Sequence, residues 1–334
     1  MPIAAPIADV DGGDMRRPSY TPRALRKSKA IRVAAWTVVA LGVAAPVARR
    51  RMRLPKQAVL AAAASAPVAI CIAAPRTRTR DVAACALQMW AYLAAYEMPH
   101  DDPEALARRV RIDYPVKVDR VLGLGVPPTL RLQRLLSAPG ETRRFEKVLV
   151  WTHWLWFAVP HAATAYVLLR RRDRFGHAAA TTYAVFDLGA VVYHVLPTAP
   201  PWYAAQRGRL GDHRTPRVRR MMVEYGEQFW KHRWGPLYSV LGGNPLAAMP
   251  SLHFATSVNA AHLLAESGRV EGVLGWSYAL TLGLALVYLG EHYVIDLLAG
   301  LALAEGVRAL APVAAPPLQR VQRAVQAIEA RAQA

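Results

Sequence analysis

The chain has 334 residues, 54% of them hydrophobic, with 42 Lys and Arg against 23 Asp and Glu, a formal net charge of +19. This is too apolar for an ordinary soluble domain and too charged to be membrane span throughout, so long apolar segments joined by basic loops fit both numbers. The arginines cluster beside apolar runs and no nucleic-acid motif is present, which turns the positive charge toward anionic lipid headgroups and control of topology.

In chain order, residues 1–30 carry Pro, Gly and Arg, are weakly apolar and show no secretory signal, so they read as a disordered cytoplasmic tail. Residues 31–98 hold three apolar runs, roughly 31–48, 57–75 and 81–98, read as N-terminal transmembrane helices. The only cysteines, Cys71 and Cys85, sit inside these runs, allow at most one bridge and offer no metal-type spacing. Residues 99–146 mix Arg, Asp, Pro and Gly with leucines, as in DYPVKVDRVLGLGVPPTLRLQRLL. They read as an interfacial amphipathic segment, its short helices lying on the membrane or plugging the bundle. Residues 147–311 hold five more runs, at 147–169, 178–198, 251–266, 270–290 and 292–311, for a total between six and eight spans. In 312–334, Leu318, Val321, Val325 and Ile328 recur at helical spacing among Arg320, Arg323 and Arg331, which suits an amphipathic surface helix after a Pro316–Pro317 break. The fold class is therefore all-α, a polytopic membrane helical bundle.

Three motifs meet at one membrane face. The run at 178–198 ends in HVLPTAPPWY, PSLH at 250–253 opens the next run on the same side, and two crossings later GEH at 290–292 returns there. His292 and Asp296 are four apart, so on a helix they share a face. A carboxylate there fixes one imidazole nitrogen and leaves the other outward as base or nucleophile. His253 and the hydroxyl of Ser251 sit at a helix start, where free N–H groups favour an anion. A phosphate held between His253 and His292 would have an attacker on one side and a proton donor on the other.

PSLHFA followed by YLGEHYVIDLLAG resembles the second and third signature motifs of the type 2 phosphatidic acid phosphatase superfamily, and PTAPPW just upstream is similar to its inositol phosphorylceramide synthase-like, inositolphosphotransferase branch. The resemblance covers roughly 145–310 and extends back toward 105. It implies a six-helix phosphatase-like catalytic core with extra N-terminal spans. It also implies that His292 attacks phosphorus to form a phosphohistidine, that Asp296 orients it and that His253 protonates the leaving group. Neither a metal nor another cofactor is implied. The implied partners are a lipid phosphate within the membrane and a polyol such as inositol, or water, as acceptor. Three departures stand out. No K-x6-R-P motif precedes PSLH, Leu286 stands where the phosphatases carry an Arg six residues before the nucleophile, and Leu252 replaces the Gly of PSGH. Replacement phosphate-binding cations are expected from the 199–250 loop, which offers Arg207, Arg209, Arg214, Arg217, Arg219, Arg220, Lys231 and Arg233; Arg207, Lys231 and Arg233 are the selected set.

Other residues carry plainer expectations. His153 and His161, among Trp and Phe, read as packing or interfacial groups, and Glu291 as a solvated interfacial carboxylate. Asp187 and His194, seven apart, read as a buried pair. Two further function classes remain open on sequence: a metal-dependent hydrolase using His253, His292 and Asp296 as ligands, and a non-catalytic lipid-phosphate binder, scaffold or flippase. By the positive-inside rule the short basic loop RRRDR at 170–174 belongs inside, while the cluster RRRMR at 49–53 argues the other way if both first spans cross; weighting RRRDR, which is short and beside clear spans, puts the motif face outside and makes the plasma membrane the expected location.

Overall fold

The computed structural model describes residues 22–138, 142–211, 217–241, 244 and 246–334. Residues 1–21 of the expected tail and Arg214 lie outside them. Among the described residues the fold is an all-α membrane bundle with no strand; isolated backbone bridges join Arg111, Thr198 and Ala247.

The N-terminal unit is α1 (Pro22–Met52), α2 (Lys56–Ala73) and α3 (Arg78–Glu97). Its first helix begins inside the stretch expected as a tail. Short helices α4 (Pro103–Arg109), α5 (Asp113–Leu122) and α6 (Pro128–Leu136) follow, then α7 (Arg144–Leu155), α8 (Val159–Arg170) and α9 (Phe175–Val195). The long connection after α9 carries α10 (Pro201–Gln206), α11 (Met221–Trp230) and α12 (Trp234–Leu241), and the chain closes with α13 (Leu252–Ala265), α14 (Arg269–Tyr288) and α15 (Val294–Gln333). Among the described residues three helical stretches, 26–52, 56–73 and 269–288, are long and apolar enough to cross a membrane by themselves.

Two elements differ from the sequence reading. The run at 147–169 is not one helix: it breaks between Leu155 and Val159. Pro160 lacks the N–H that would bond the carbonyl of Trp156, and its ring crowds that carbonyl. In contrast, α15 runs through Pro312, Pro316 and Pro317 without the expected stop. Its far end is tied down: Glu329 takes Arg76 at 2.8 Å and Arg80 at 2.7 Å, and Ser28 donates to the carbonyl of Ala332 at 2.7 Å.

Polar contacts sort the helix ends into two faces. At one face Arg49 and Arg50, closing α1, pair with Asp101 just past α3 at 3.1 and 2.7 Å, and Tyr193 near the end of α9 donates to the carbonyl of Pro250 at 2.8 Å. Tyr288, closing α14, donates to Glu146 in the first turn of α7 at 2.7 Å. At the other face Arg172 reaches Asp81 in the first turn of α3, and Arg174 reaches Glu266 after α13. Thus α1, α2, α3, α7 with α8, α9, α13, α14 and α15 alternate in direction between the two faces.

Close approach of small residues sets the helix spacing around the motifs. A Cβ added at Gly300 of α15 would stand 2.6 Å from the carbonyl oxygen of Ser251, and one at Gly189 of α9 would stand 2.4 Å from the Leu252 side chain. Leu252, where PSGH has glycine, therefore plugs into α9. The segment α5–α6 caps the motif face. Asp119 accepts from the amides of Val294 and Ile295, both at 3.1 Å, and Gln133 donates to the carbonyl of Tyr288 at 2.8 Å. Outside this cap Val121, Leu124 and Leu135 stay largely exposed, as an interfacial element requires.

Candidate active site

Gly290 ends α14 at φ +77°, a left-handed conformation that a side chain would strain. The amides of Glu291 and His292 both donate to the carbonyl of Leu286, at 3.0 and 3.1 Å, so the chain reverses tightly. His292 therefore precedes α15 instead of lying in it, a correction to the shared-face reading. Contact with Asp296 survives for another reason. Asp296 occupies the first turn of α15, where its Oδ2 accepts from the amide of Tyr293 at 2.9 Å, and the same oxygen lies 3.4 Å from Nδ1 of His292. The carboxylate is fully buried and His292 nearly so. At 3.4 Å the imidazole contact is an ion-pair distance, not a closed hydrogen bond, and such contacts tighten when the ring takes charge.

His253 occupies the first turn of α13. Ser251 is the N-cap, its oxygen accepting from the amide of Phe254 at 3.3 Å, and its own amide donates to the backbone carbonyl of Asp296 at 2.9 Å. That bond, with the close approach at Gly300, ties the starts of α13 and α15 together. Nδ1 of His253 then meets Nε2 of His292 at 3.1 Å. The sequence-distant motifs thus form one chain: Asp296, His292, His253.

A third imidazole extends this row. His153, near the end of α7, places its ring 4.8 Å from that of His253, tilted by 35°, and its buried Nδ1 has no hydrogen-bond partner. The Trp156 ring lies 4.1 Å from His253 on another side and is fixed by donation to Thr256 at 2.8 Å. Both residues were read as packing or belt groups. Their placement depends on the α7–α8 break, which no residue-type pattern marks as part of a site.

These groups open onto a cavity of about 340 Å³. Its polar lining includes His153, His161, His253, His292, Glu97 and Glu291, and its apolar lining is mainly aromatic. Among the described residues no Arg or Lys lines it. Glu291, expected to be solvated, faces the cavity, and its Oε1 is buried without a hydrogen-bond partner. Burial pushes this carboxyl up from its usual range, against the pull of Arg220 and His292. Arg220 stacks on Trp202, another lining residue, at 3.9 Å.

The remaining predicted positions fall elsewhere. Ser251 is buried behind the site as a cap. Arg207 is exposed and stacks on Tyr203, donating to its hydroxyl at 2.7 Å. Lys231 and Arg233 sit in an exposed 3-10 turn. None of these four lines the cavity. Asp187 pairs with Gln88 at 2.9 Å, while His194 bonds the carbonyl of Ala190 at 2.9 Å. PTAPPW forms a stapled rim. The amide of Arg111 donates to the carbonyl of Pro197 at 2.8 Å, and the amide of Thr198 to that of Leu246 at 2.9 Å.

In comparisons with known proteins, the family model described as PAP2 superfamily matches residues 116–310, more than half of the chain. No curated protein and no solved structure matches.

Proposed function

We propose, because the chain belongs to the PAP2 superfamily, that this membrane protein cleaves a lipid-linked phosphate or phosphodiester through a phosphohistidine and passes the phosphoryl group to a polyol or to water. The observation that carries this reading is the continuous row of Asp296, His292 and His253 on the wall of one cavity.

In the first step Nε2 of His292 attacks phosphorus, and the bond from phosphorus to the lipid oxygen breaks. His253 gives its proton to that oxygen, so the lipid leaves as an alcohol. Asp296 faces the positive charge that develops on the His292 ring. In the second step the acceptor hydroxyl gives its proton to His253 and attacks phosphorus. The nitrogen–phosphorus bond breaks and His292 is restored. An attack distance of about 3 Å, the phosphorus–oxygen bond to the leaving group and a hydrogen bond of about 2.8 Å together require roughly 6–7 Å between the two nitrogens. They stand 3.1 Å apart, so the substrate must part the rings as it enters.

Charge supports transfer, and the inositolphosphotransferase-like branch, over simple phosphomonoester hydrolysis. A doubly charged phosphate needs strong cations in a partly dry site. A cavity lined by imidazoles, with Arg220 held behind Trp202 and Glu291, suits a singly charged phosphodiester better. Glu291 also offers an acceptor for polyol hydroxyls. In this proposal Arg207, Lys231 and Arg233 clamp the phosphate after the 199–250 connection moves inward on binding, while Ser251, the buried N-cap of α13, fixes the helix start that carries His253. The placement of RRRDR at the face away from the cavity supports an external site at the plasma membrane.

Purified protein incubated with a panel of lipid phosphates and phosphodiesters, with and without polyols, tests the proposal. Mass spectrometry should find the transferred group on His292, phosphate from a monoester substrate or the headgroup phosphate from a diester, and the same group joined to the polyol as product. Lipid binding that survives His292→Ala, with no turnover by the wild type on any substrate, would replace this reading with that of a lipid-phosphate binder.

A further inference from the structure

The cavity does not end at the imidazoles. One of its walls is α3, which lies outside the residues matched to the family. Met89, Tyr92, Leu93 and Tyr96 all line it, at positions i, i+3, i+4 and i+7, so a single face of α3 looks into the cavity over two turns. The top of this face is polar and fixed: Glu97 pairs with Arg49, and the Tyr96 hydroxyl donates to the carbonyl of Asn244 at 3.3 Å. Met89 lies eight residues further along, roughly 12 Å below that rim at about 1.5 Å per residue. This is the depth of hydrocarbon, not of headgroups. Across the cavity stands the α7–α8 break with Trp156 and Phe157. Leu93 and Phe157 line the cavity and yet remain 38% and 39% exposed, so the enclosure is incomplete beside them.

We infer that this face of α3 is the binding wall for one hydrocarbon chain of the lipid substrate, with Met89 at its floor. The inference rests on the lipid-phosphate reading of the site. The occupant follows from continuity: a phosphate against His253 and His292 directs its attached chain down a lining that combines apolar side chains with membrane depth, α3 on one side and Trp156 and Phe157 on the other. The volume points the same way. About 340 Å³ is near the lower end for small-molecule sites, about 300–1,000 Å³, and suits a headgroup plus part of a chain, not a whole lipid. The N-terminal helices thereby set which lipids are accepted.

The test uses a graded series of methyl(n-alkyl)phosphinates, singly charged and with no phosphorus–oxygen ester bond to break, binding to the full-length protein in detergent by calorimetry. Affinity should rise about fourfold per methylene until the chain reaches Met89, then level off. Met89→Trp should bring the levelling point to a shorter chain and Met89→Ala should move it to a longer one. The same levelling point in wild type and Met89→Ala overturns the inference, and that comparison stands even if Met89→Trp does not fold. Phosphohistidine formation is scored separately on a natural-chain substrate. A shifted levelling point without any phosphohistidine would sink the proposed reaction and leave the wall; phosphohistidine with no shift would do the reverse.

Discussion

Replacing Asp296 with Asn changes one charge and almost no volume, in a place where both roles of the residue can be separated. The carboxylate lies 3.4 Å from Nδ1 of His292, and both groups are buried. At an effective dielectric of about 20, unit charges at that distance interact by about 5 kcal/mol. The His292 ring carries its charge only as phosphorus is attacked, so this attraction acts on the transition state and not on the resting enzyme. At about 1.4 kcal/mol per tenfold, losing it costs three to four orders of magnitude in the rate of phosphohistidine formation. The structural role is smaller. The Asn carbonyl can still accept from the Tyr293 amide, so the stability cost is about 1 kcal/mol. Rapid-quench measurement of phosphoenzyme, beside thermal unfolding in the same detergent, separates the two. A folded D296N that forms phosphoenzyme within tenfold of the wild-type rate would refute the assignment.

Other outcomes follow from the same geometry. His253→Ala should slow turnover by two orders of magnitude or more with an alkyl leaving group and far less with a nitrophenyl one, as about 10²–10⁴ is typical of a lost acid; equal losses would remove its role as proton donor. Gly300→Ala sets a methyl group 2.6 Å from the Ser251 carbonyl, so it should cost about 1–3 kcal/mol in unfolding and lower kcat by parting α13 from α15; a variant with wild-type stability and kcat would contradict that packing. Burial raises the Asp119 carboxyl to about 6, above an unfolded value near 4. The stability it contributes is therefore full below about pH 4 and is lost as the pH climbs through 6. Asp119→Asn resembles the protonated form at every pH, so its unfolding midpoint relative to wild type should improve from pH 4 to pH 7, and a constant difference would show that Asp119 does not titrate there. A metal-dependent hydrolase would lose turnover to chelators, whereas the phosphohistidine route proceeds in their presence.

The motifs were legible because chemistry restricts them. A histidine and an aspartate at fixed spacing in apolar sequence have few structural uses, and the alternation of runs already brings 253, 292 and 296 to one face. The geometry joining them was less visible. His292 meets Asp296 across a helix start, not along a helix, since the φ of Gly290 decides where α15 begins. His153 and Trp156 look like any aromatic belt until the Pro160 break turns them inward. The face of α3 is regular in sequence, but nothing local says whether a neighbour or an empty space lies opposite. The exposed positions of Arg207, Lys231 and Arg233 have a similar origin. The path of a long connection depends on its anchors, here Arg209 on Asp113 and Arg219 on Glu146, and those pairings span distances that periodicity does not encode. α15 continues through three prolines to a distant clasp at Glu329, a pairing that no local rule supplies.

The first turn of α15 is gripped from outside the spanning helices. Asp119, on a short element lying across the bundle, holds two of its amides. The matched family region begins at residue 116, just ahead of this carboxylate. The smallest portable unit of this protein therefore cannot be a set of transmembrane rods alone. It must carry α5 as a keystone, and any graft or chimera that exchanges the surface segment without its acidic residue would leave the rods standing while the aspartate beside the attacking ring loses its footing.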